Sequence, residues 1–479
     1  MDFTHGLAVV LVIFEGIIIQ CKGAGHADSM EWIQNAPNIE IEEDQPFLPK
    51  DLIEEIVSKT DYKTIQKTIQ EGIVPANNIV MSRILRDYII AFMPEYDDEI
   101  FENYHVGDSF LIFSNYRKLK IFLDKFGHQV KRIEIQLKSS CAIPSEEIIQ
   151  DIIKRYAKNF EELRIITEDD ERFWENLSNG ENDVIFPEVK KFHLSSDNIG
   201  NEHKLNLIFP KLESLMLESL MLGDLGDVNI LANVKGLKEL MMYTSSGPEH
   251  QLDHIFANNK NMTKIALLKP NRTETMHSIA KHLTKLKTLV VDWPGENFLL
   301  RTNNSPVCKL PSVNHFNIII DNMIEVFGNG DLDLSFDMPN LKKLTLYGYQ
   351  ADDRIINFIQ HFEELEILEL FVREYNALKL IEKLKHIKEF TIIFFENEFD
   401  SLKNVFENFD EKSKLQTLKL IEFVEPLYKT YEDTMKQFNI HLKDSKKPTW
   451  TLSYGKQIEI DQNYLKFQRD LCKCKSCEE

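Results

Sequence analysis

Apolar residues recur along this chain with a fixed internal spacing, at the first, fourth and sixth places of a short motif. Leu341-Lys-Lys-Leu344-Thr-Leu346 shows it, as do Val189-Lys-Lys-Phe-His-Leu, Leu212-Glu-Ser-Leu-Met-Leu and Leu365-Glu-Ile-Leu-Glu-Leu. The first positions fall at Val130, Phe160, Val189, Leu212, Leu237, Met262, Leu286, Val313, Leu341, Leu365, Ile387 and Leu415, with successive starts 22 to 30 residues apart. Alternate residues of a strand face opposite sides, so the fourth and sixth positions point inward and the third, fifth and seventh outward. Pro187, Pro210, Pro311 and Pro339 lie one to three residues ahead of a match, where proline favours an extended approach and opposes helix. One such strand cannot bury its inner face alone. The pattern therefore predicts a parallel stack in which neighbours cover one another.

The intervening segments carry helical spacing. Asp352 is placed to cap a helix with Ile355, Ile359 and Phe362 on one face, and Ser145 precedes Ile148, Ile149, Ile152, Ile153 and Tyr156. Asp400 precedes Leu402, Val405, Phe406 and Phe409, and Leu378, Ile381 and Leu384 keep the same spacing. A strand, turn, helix and return of this length resembles the leucine-rich repeat. The fold expected is α/β: a leucine-rich-repeat solenoid over 126–446, of about twelve repeats, with parallel strands on the concave face and helices on the convex face. The Asn or Cys usual in that family three residues past the last strand leucine is missing; Ser245, Pro270, Pro294, Tyr349 and Arg373 stand there. The alternative is a conventional α/β sheet, which the short period and the lack of a Gly-rich phosphate turn disfavour.

Three further segments precede the array. Residues 1–27 read as a secretory leader, with apolar Leu7 to Phe14 and Ile17 to Ile19 followed by small residues from Gly23 to Ala27; a buried N-terminal helix or strand is the other reading. Residues 28–46 form an acidic linker with Glu40, Glu42, Glu43 and Asp44. Residues 47–125 read as a small set of short helices. Pro49 suits a first helical turn, and Leu52, Ile53, Ile56 and Val57 follow at helical spacing. Leu48, Pro49 and that stripe, with Val80 and Met81 closing the segment, resemble an F-box. The resemblance implies docking of these eight residues on the Skp-type adaptor of a cullin ubiquitin ligase. A helical cap protecting the first repeat is the simpler reading of the same residues.

The seventh positions of the last five matches with an apolar or aromatic residue there are Ile319, Tyr347, Phe371, Ile393 and Ile421. They are expected side by side on the outward strand face, with Glu369 and Lys419 from fifth positions as charged neighbours. An apolar row of that kind marks a partner surface, with aromatics as its anchors; coverage by the chain's own C-terminal tail (447–479) is the alternative.

Composition narrows the function. The chain has 479 residues and a formal net charge of −21, which disfavours nucleic acid and anionic membranes as partners. Its 6 cysteines include Cys21 in the leader, isolated Cys141 and Cys308, and a tail cluster of Cys472, Cys474 and Cys477, so no paired disulfide framework emerges. The leader is too short and too interrupted for a stable membrane span, and no other stretch approaches the length one needs. No Walker loop, G-x-S-x-G elbow or H-E-x-x-H motif occurs, and His250 with His254 lacks a third metal ligand. Asp331, Asp333 and Asp337 read as an acidic turn, and the cysteine cluster as a terminal tail of free thiols or, with a fourth ligand, a zinc or copper site. Acceptor triplets for N-glycosylation start at Asn176, Asn261, Asn271 and Asn303. No cofactor and no metal are expected. The expectation is a non-catalytic receptor that resembles F-box/leucine-rich-repeat proteins: repeats that capture an unidentified protein substrate, and N-terminal helices that deliver it to the adaptor. A leader on such a protein is similar to that of secreted salivary effectors of plant-feeding insects, which act inside a host cell; a cytoplasmic protein, or an extracellular recognition protein with no ligase role, are the alternatives.

Overall fold

A computed structural model of the chain describes residues 88–94, 109–137, 145–167, 184–196, 205–219, 233–243, 249–268, 272–292, 296–301, 306–320, 333–348, 353–372, 386–394, 414–422, 450–457 and 462–469, with a few single positions between them. The chain divides into two compact units. The first comprises 1–101, 108–136 and 159–163, and the second 102–107, 137–158 and 164–479.

In the first unit, β1 (Tyr88–Phe92), β2 (Ser109–Phe113), α1 (Tyr116–Phe126) and β3 (Arg132–Leu137) follow one another. β1 pairs in parallel with β2 and with β3. Ile89 to Phe92 and Phe110 to Phe113 are buried without alternation. Such strands read as continuous apolar runs covered on both faces, with no L-x-x-L-x-L signature to reveal them. The expectation of an all-helical segment through residue 125 is therefore corrected at 88–92 and 109–113, which are strands. α1 is capped by Asn115, whose side chain accepts the Lys118 N–H at 3.2 Å. Its buried face of Tyr116, Leu119, Phe122, Leu123 and Phe126 has the 3–4 spacing of an amphipathic helix.

In the second unit, α2 (Ser145–Ile148) runs on as a π-helical turn, Ile149–Lys154, with Ile148, Ile149, Ile152 and Ile153 all buried. The division of units cuts β4 (Glu162–Thr167) after Leu163. A regular series follows: β5 (Lys191–Ser196), α3 (Leu205–Ile208), β6 (Ser214–Ser219), β7 (Glu239–Tyr243), α4 (Glu249–Asn258), β8 (Lys264–Leu268), α5 (Thr273–His282), β9 (Thr288–Asp292), α6 (Glu296–Leu299), β10 (Cys308–Lys309), β11 (His315–Ile320), β12 (Phe336–Asp337), β13 (Lys343–Gly348), α7 (Asp353–Gln360), β14 (Ile367–Val372), β15 (Glu389–Phe394) and β16 (Thr417–Glu422). From β5 to β16, leaving out β10 and β12, each long strand pairs in parallel with the next. The architecture is α/β with a large parallel sheet.

The register equates the same motif position in every strand: Phe316 with Leu344, Leu344 with Leu368, and Leu368 with Phe390. All twelve first positions are buried, from Val130 to Leu415. A fourth apolar position, three residues ahead of the first, completes the repeat. Phe186, Phe209, Leu283, Leu310, Met338, Phe362 and Leu384 occupy it and are buried. Each accepts, through its carbonyl, the N–H of the first motif residue, as Met338 does from Leu341 at 3.1 Å and Phe362 from Leu365 at 3.2 Å. The repeat is thus Φ-x-x-Φ-x-x-Φ-x-Φ, with a tight turn over its first four residues. Proline follows Φ in four of these turns because a fixed φ near −65° suits the second residue of a type I turn. The second motif residue carries the ladder between repeats. The Lys342 carbonyl accepts the N–H groups of both Glu366 and Ile367, at 3.0 and 2.9 Å, and Asn314 does the same for Lys342 and Lys343.

Among the described residues, two connections depart from the strand–helix plan. After β9 a four-residue helix gives way to β10, and after β11 the chain returns through β12, which pairs in parallel with β10. Leu334, Phe336 and Met338 are buried alternately, a period of two that belongs to extended chain, and buried Ser335 donates to the Phe298 carbonyl at 2.8 Å. At the far end β17 (Trp450–Gln457) and β18 (Gln462–Arg469) form an antiparallel hairpin, and β18 pairs antiparallel with β16. β17 and β18 therefore extend the sheet at that edge. No helix among the described residues is long and apolar enough to cross a membrane.

Candidate functional site

The outward face of the parallel strands gathers three rows of side chains, from the third, fifth and seventh motif positions. Strands about 4.8 Å apart bring consecutive members of a row into lateral contact. The seventh-position row is continuous in the pairing: Asp292 lies opposite Ile319, Ile319 opposite Tyr347, Tyr347 opposite Phe371, Phe371 opposite Ile393, and Ile393 opposite Ile421. Tyr464 of β18 is the next partner, opposite Ile421. The five apolar residues singled out by the sequence therefore share one line across five adjacent strands. Ile319 and Tyr347 are half-buried. The side chains of Phe371, Ile393 and Ile421 lie outside the described residues. Glu369 and Lys419, both half-buried, occupy one fifth-position row with Thr391 between them.

Polar side chains beside this row form a network that the sequence reading did not single out. Thr345 donates its hydroxyl to Glu369 Oε2 at 2.9 Å, and Lys343 Nζ lies 2.9 Å from Glu369 Oε1. His315 Nε2 stands 3.4 Å from Thr345 Oγ1. Because that hydroxyl is already donating, the imidazole nitrogen is the donor in this pair. Burial, with the Lys343 charge behind it, pushes the His315 pKa down, so the ring stays neutral. The order His315, Thr345, Glu369, Lys343 follows from third and fifth positions of β11, β13 and β14. The only sequence signal for it was polar residues at outward places of consecutive matches.

Next to this matched network stand groups under a different constraint. Burial pushes the Asp292 carboxyl up to about 6. The Tyr347 phenol is pushed up to about 12, first by burial and then by the negative charges of Glu369 and Asp292. The stability consequence of Asp292 has a definite sign. Its folded pKa exceeds its unfolded value near 4, so between about pH 4 and 6 the folded state holds the extra proton and stability falls as pH rises, by at most about 3 kcal/mol in all. Denaturant unfolding of the wild type and of Asp292→Asn, run in parallel from pH 4 to 7, is expected to diverge by that amount, with the variant relatively more stable at the higher pH. Curves that stay parallel would mean that the carboxyl is solvated.

The remaining candidates resolve as follows. Leu48, Pro49, Leu52, Ile53, Ile56, Val57, Val80 and Met81 lie outside the described residues, as do the leader, the acidic linker and the tail cysteines. His254 Nε2 is 3.2 Å from Asn258 Nδ2, and among the described residues no group of three or more His, Cys, Asp or Glu side chains is placed to hold a metal ion. Asp333 accepts from Arg301 Nε and Nη2 at 3.0 and 2.9 Å. An open cleft of about 280 Å³ between the turns ahead of β6 and β7, lined by Asn206, Phe209, Pro210, Asn233, Val234 and Lys235 among others, brings no pair of reactive groups together.

The sequence matches no protein-family model and no curated protein.

Proposed function

We propose that this chain is a non-catalytic leucine-rich-repeat receptor. Its repeats would hold a protein substrate on the outward strand face, and its segment from Leu48 to Met81 would dock on the Skp-type adaptor of a cullin ubiquitin ligase. The observation that carries the reading is the register of the seventh-position row, which aligns Ile319, Tyr347, Phe371, Ile393 and Ile421 across consecutive strands. An aligned row of apolar and aromatic side chains, flanked by Glu369 and Lys419, has the chemistry of an interface centre with a charged rim. The repeat period and the order of F-box-like segment before repeats support the delivery role. Catalysis would then come from holding the substrate beside another subunit's active site. The apolar leader supports passage through a secretory route before action inside a host cell.

The test has two arms on the full-length protein. Captured on beads, it is expected to retain a purified Skp adaptor, and Leu48→Ala with Pro49→Ala is expected to abolish retention. Tyr347→Ser with Phe371→Ser is expected to leave adaptor retention intact while lowering capture of the substrate protein at least about tenfold, as loss of interface anchors does. Absence of adaptor binding by the intact chain overturns the ligase role, and leaves a secreted recognition protein with a helical cap.

A further inference from the structure

Along the second motif positions, opposite charges meet between neighbouring strands. Lys131 lies 3.4 Å from Glu161, Lys238 2.9 Å from Glu213, and Lys342 and Lys388 share Glu366 at 3.4 and 3.2 Å. At the third position Lys343 reaches Glu369 at 2.9 Å. The pattern breaks at β8, β9 and β11. From the turns ahead of these strands to their fifth motif positions, residues 260–266, 285–290 and 312–317 hold four lysines, Lys260, Lys264, Lys285 and Lys287, together with His315 and no Asp or Glu. None of the four lysines has an ion pair with a carboxylate among the described residues, and Lys285 Nζ donates instead to Asn261 Oδ1 at 2.8 Å.

The backbone fixes where these charges stand. Lys264 is opposite Thr288, and Thr288 is opposite His315. The Thr263 carbonyl accepts the N–H groups of Lys287 and Thr288 at 2.9 and 3.0 Å, and the Lys287 carbonyl those of Asn314 and His315 at 3.0 and 3.1 Å. Lys264 and His315 are therefore two strand spacings apart, roughly 10 Å, with Lys287 at the adjoining motif position of the strand between them. Lys264 and His315 are half-buried, and Lys260, Lys285 and Lys287 are exposed. Burial, and then the charges of Lys343 and Lys264, hold the His315 pKa down against the pull of Glu369. Like charges gathered on one surface repel, and an acidic ligand relieves that repulsion. The island is narrow, and the chain around it carries a net charge of −21. A long polyanion, whether nucleic acid or an anionic membrane, would meet that opposing field, whereas a short cluster of carboxylates meets only the lysines. Acidic side chains two or three residues apart on an extended segment span about 7–10 Å, the width of the island.

We propose that Lys264 and Lys287, with Lys260 and Lys285 at the margin, dock a short acidic segment of the bound protein, one with Asp or Glu side chains two or three residues apart. The proposal rests on the reading of the outward strand face as the partner surface, and it names the chemistry of that partner. The partner presents carboxylates to β8, β9 and β11, and apolar side chains to the row that starts at Ile319.

The probe is a fluorescein-labelled peptide, Gly-Glu-Gly-Glu-Gly-Glu-Gly, with the same peptide carrying Gln for Glu as its neutral counterpart. The full chain is titrated into each at low salt while fluorescence anisotropy is followed. The expected result is saturable binding of the acidic peptide, weakened by added salt, and none of the neutral one. Lys264→Glu with Lys287→Glu is expected to weaken the affinity at least about tenfold, because it sets like charges against the peptide. Lys118→Glu with Lys158→Glu changes the net charge equally at exposed positions away from these strands, and is expected to leave the affinity unchanged. Lys264→Gln with Lys287→Gln removes the charges without reversing them and is expected to weaken binding too, so the site is still tested if the reversal fails to fold, which the urea midpoint of each variant reports. An oligothymidylate and phosphatidylserine vesicles, added at equal charge, are expected not to displace the peptide. No saturable binding, equal binding of the neutral peptide, equal loss in the two Lys→Glu pairs, or displacement by either polyanion overturns the site. The readout needs neither the adaptor nor the natural partner, so its failure is distinct from failure of the receptor reading.

Discussion

Phe192→Ala is expected to lower the free energy of unfolding by about 4 kcal/mol, near the upper range for a buried aromatic truncated to alanine. Phe192 occupies the fourth motif position of β5 and is 2% exposed. Its ring stacks on Phe209 at 4.5 Å between centroids with an interplanar angle of 27°, and meets Trp174 edge-on at 5.9 Å. Phe186 lies 5.1 Å from Phe209, and Phe173 5.0 Å from Trp174. Five rings thus share one cluster, and each offset or edge-to-face pair adds to the burial. Alanine would leave a void among rings held on three other segments, which cannot collapse together. Phe192→Leu keeps the fourth position apolar and is expected to lose about 1–2 kcal/mol. Urea unfolding followed by fluorescence of the 4 tryptophans reads both. A loss below about 1 kcal/mol for the alanine variant would mean that the cluster is not a cooperative part of the unit.

Asn259→Leu is expected to cost about 2–4 kcal/mol, even though leucine holds the equivalent place ahead of β9 and β11. Asn259 is 2% exposed and bridges two repeats. Its Oδ1 accepts the Leu237 N–H at 3.0 Å, and its Nδ2 donates to the carbonyls of Val234 and Ile255, both at 2.9 Å. The turn from Val234 to Leu237 contains Gly236 at φ 89°, a left-handed conformation that L side chains rarely adopt. Where the other turns close with the first motif residue donating across the turn, here the asparagine amide takes both ends. Leucine would strand a buried N–H and a buried carbonyl at once. Hydrogen exchange at Leu237, compared between wild type and variant, localises the effect: unchanged protection there would show that the bridge contributes nothing.

How much of this was legible in the residues differs from element to element. The strands with a 1-4-6 pattern were readable because pleating converts alternation into burial, and Leu341, Leu344 and Leu346 are indeed core. α7 was readable from Ile355, Ile359 and Phe362. β1 and β2 were not, because a strand buried on both faces carries no alternation. The second half of the repeat, Φ-x-x ahead of seven of the matches, recurs in the sequence at Phe186, Phe209, Met338 and Phe362 among others. Its meaning, however, depends on a turn hydrogen bond that spacing alone does not encode. The β10–β12 pair replaced a helix at connections where Leu334, Phe336 and Met338 alternate, a signal present but competing with an expected repeat. The C-terminal hairpin escaped notice because it carries no copy of the motif.

For the candidate site, the sequence alone determined which residues share the outward face and their order along it, since a period of two fixes the face of every side chain once the register is regular. It therefore placed Ile319, Tyr347, Phe371, Ile393 and Ile421 in one row from spacing. Only the tertiary structure decided which outward polar groups answer one another. Lys343, Thr345 and Glu369 meet across β13 and β14, whereas the Asn317 amide oxygen, equally outward, and the Asp292 carboxyl find no donor among the described residues. That difference depends on distances of a few tenths of an ångström and on local dielectric, both set by neighbouring strands that are distant in sequence.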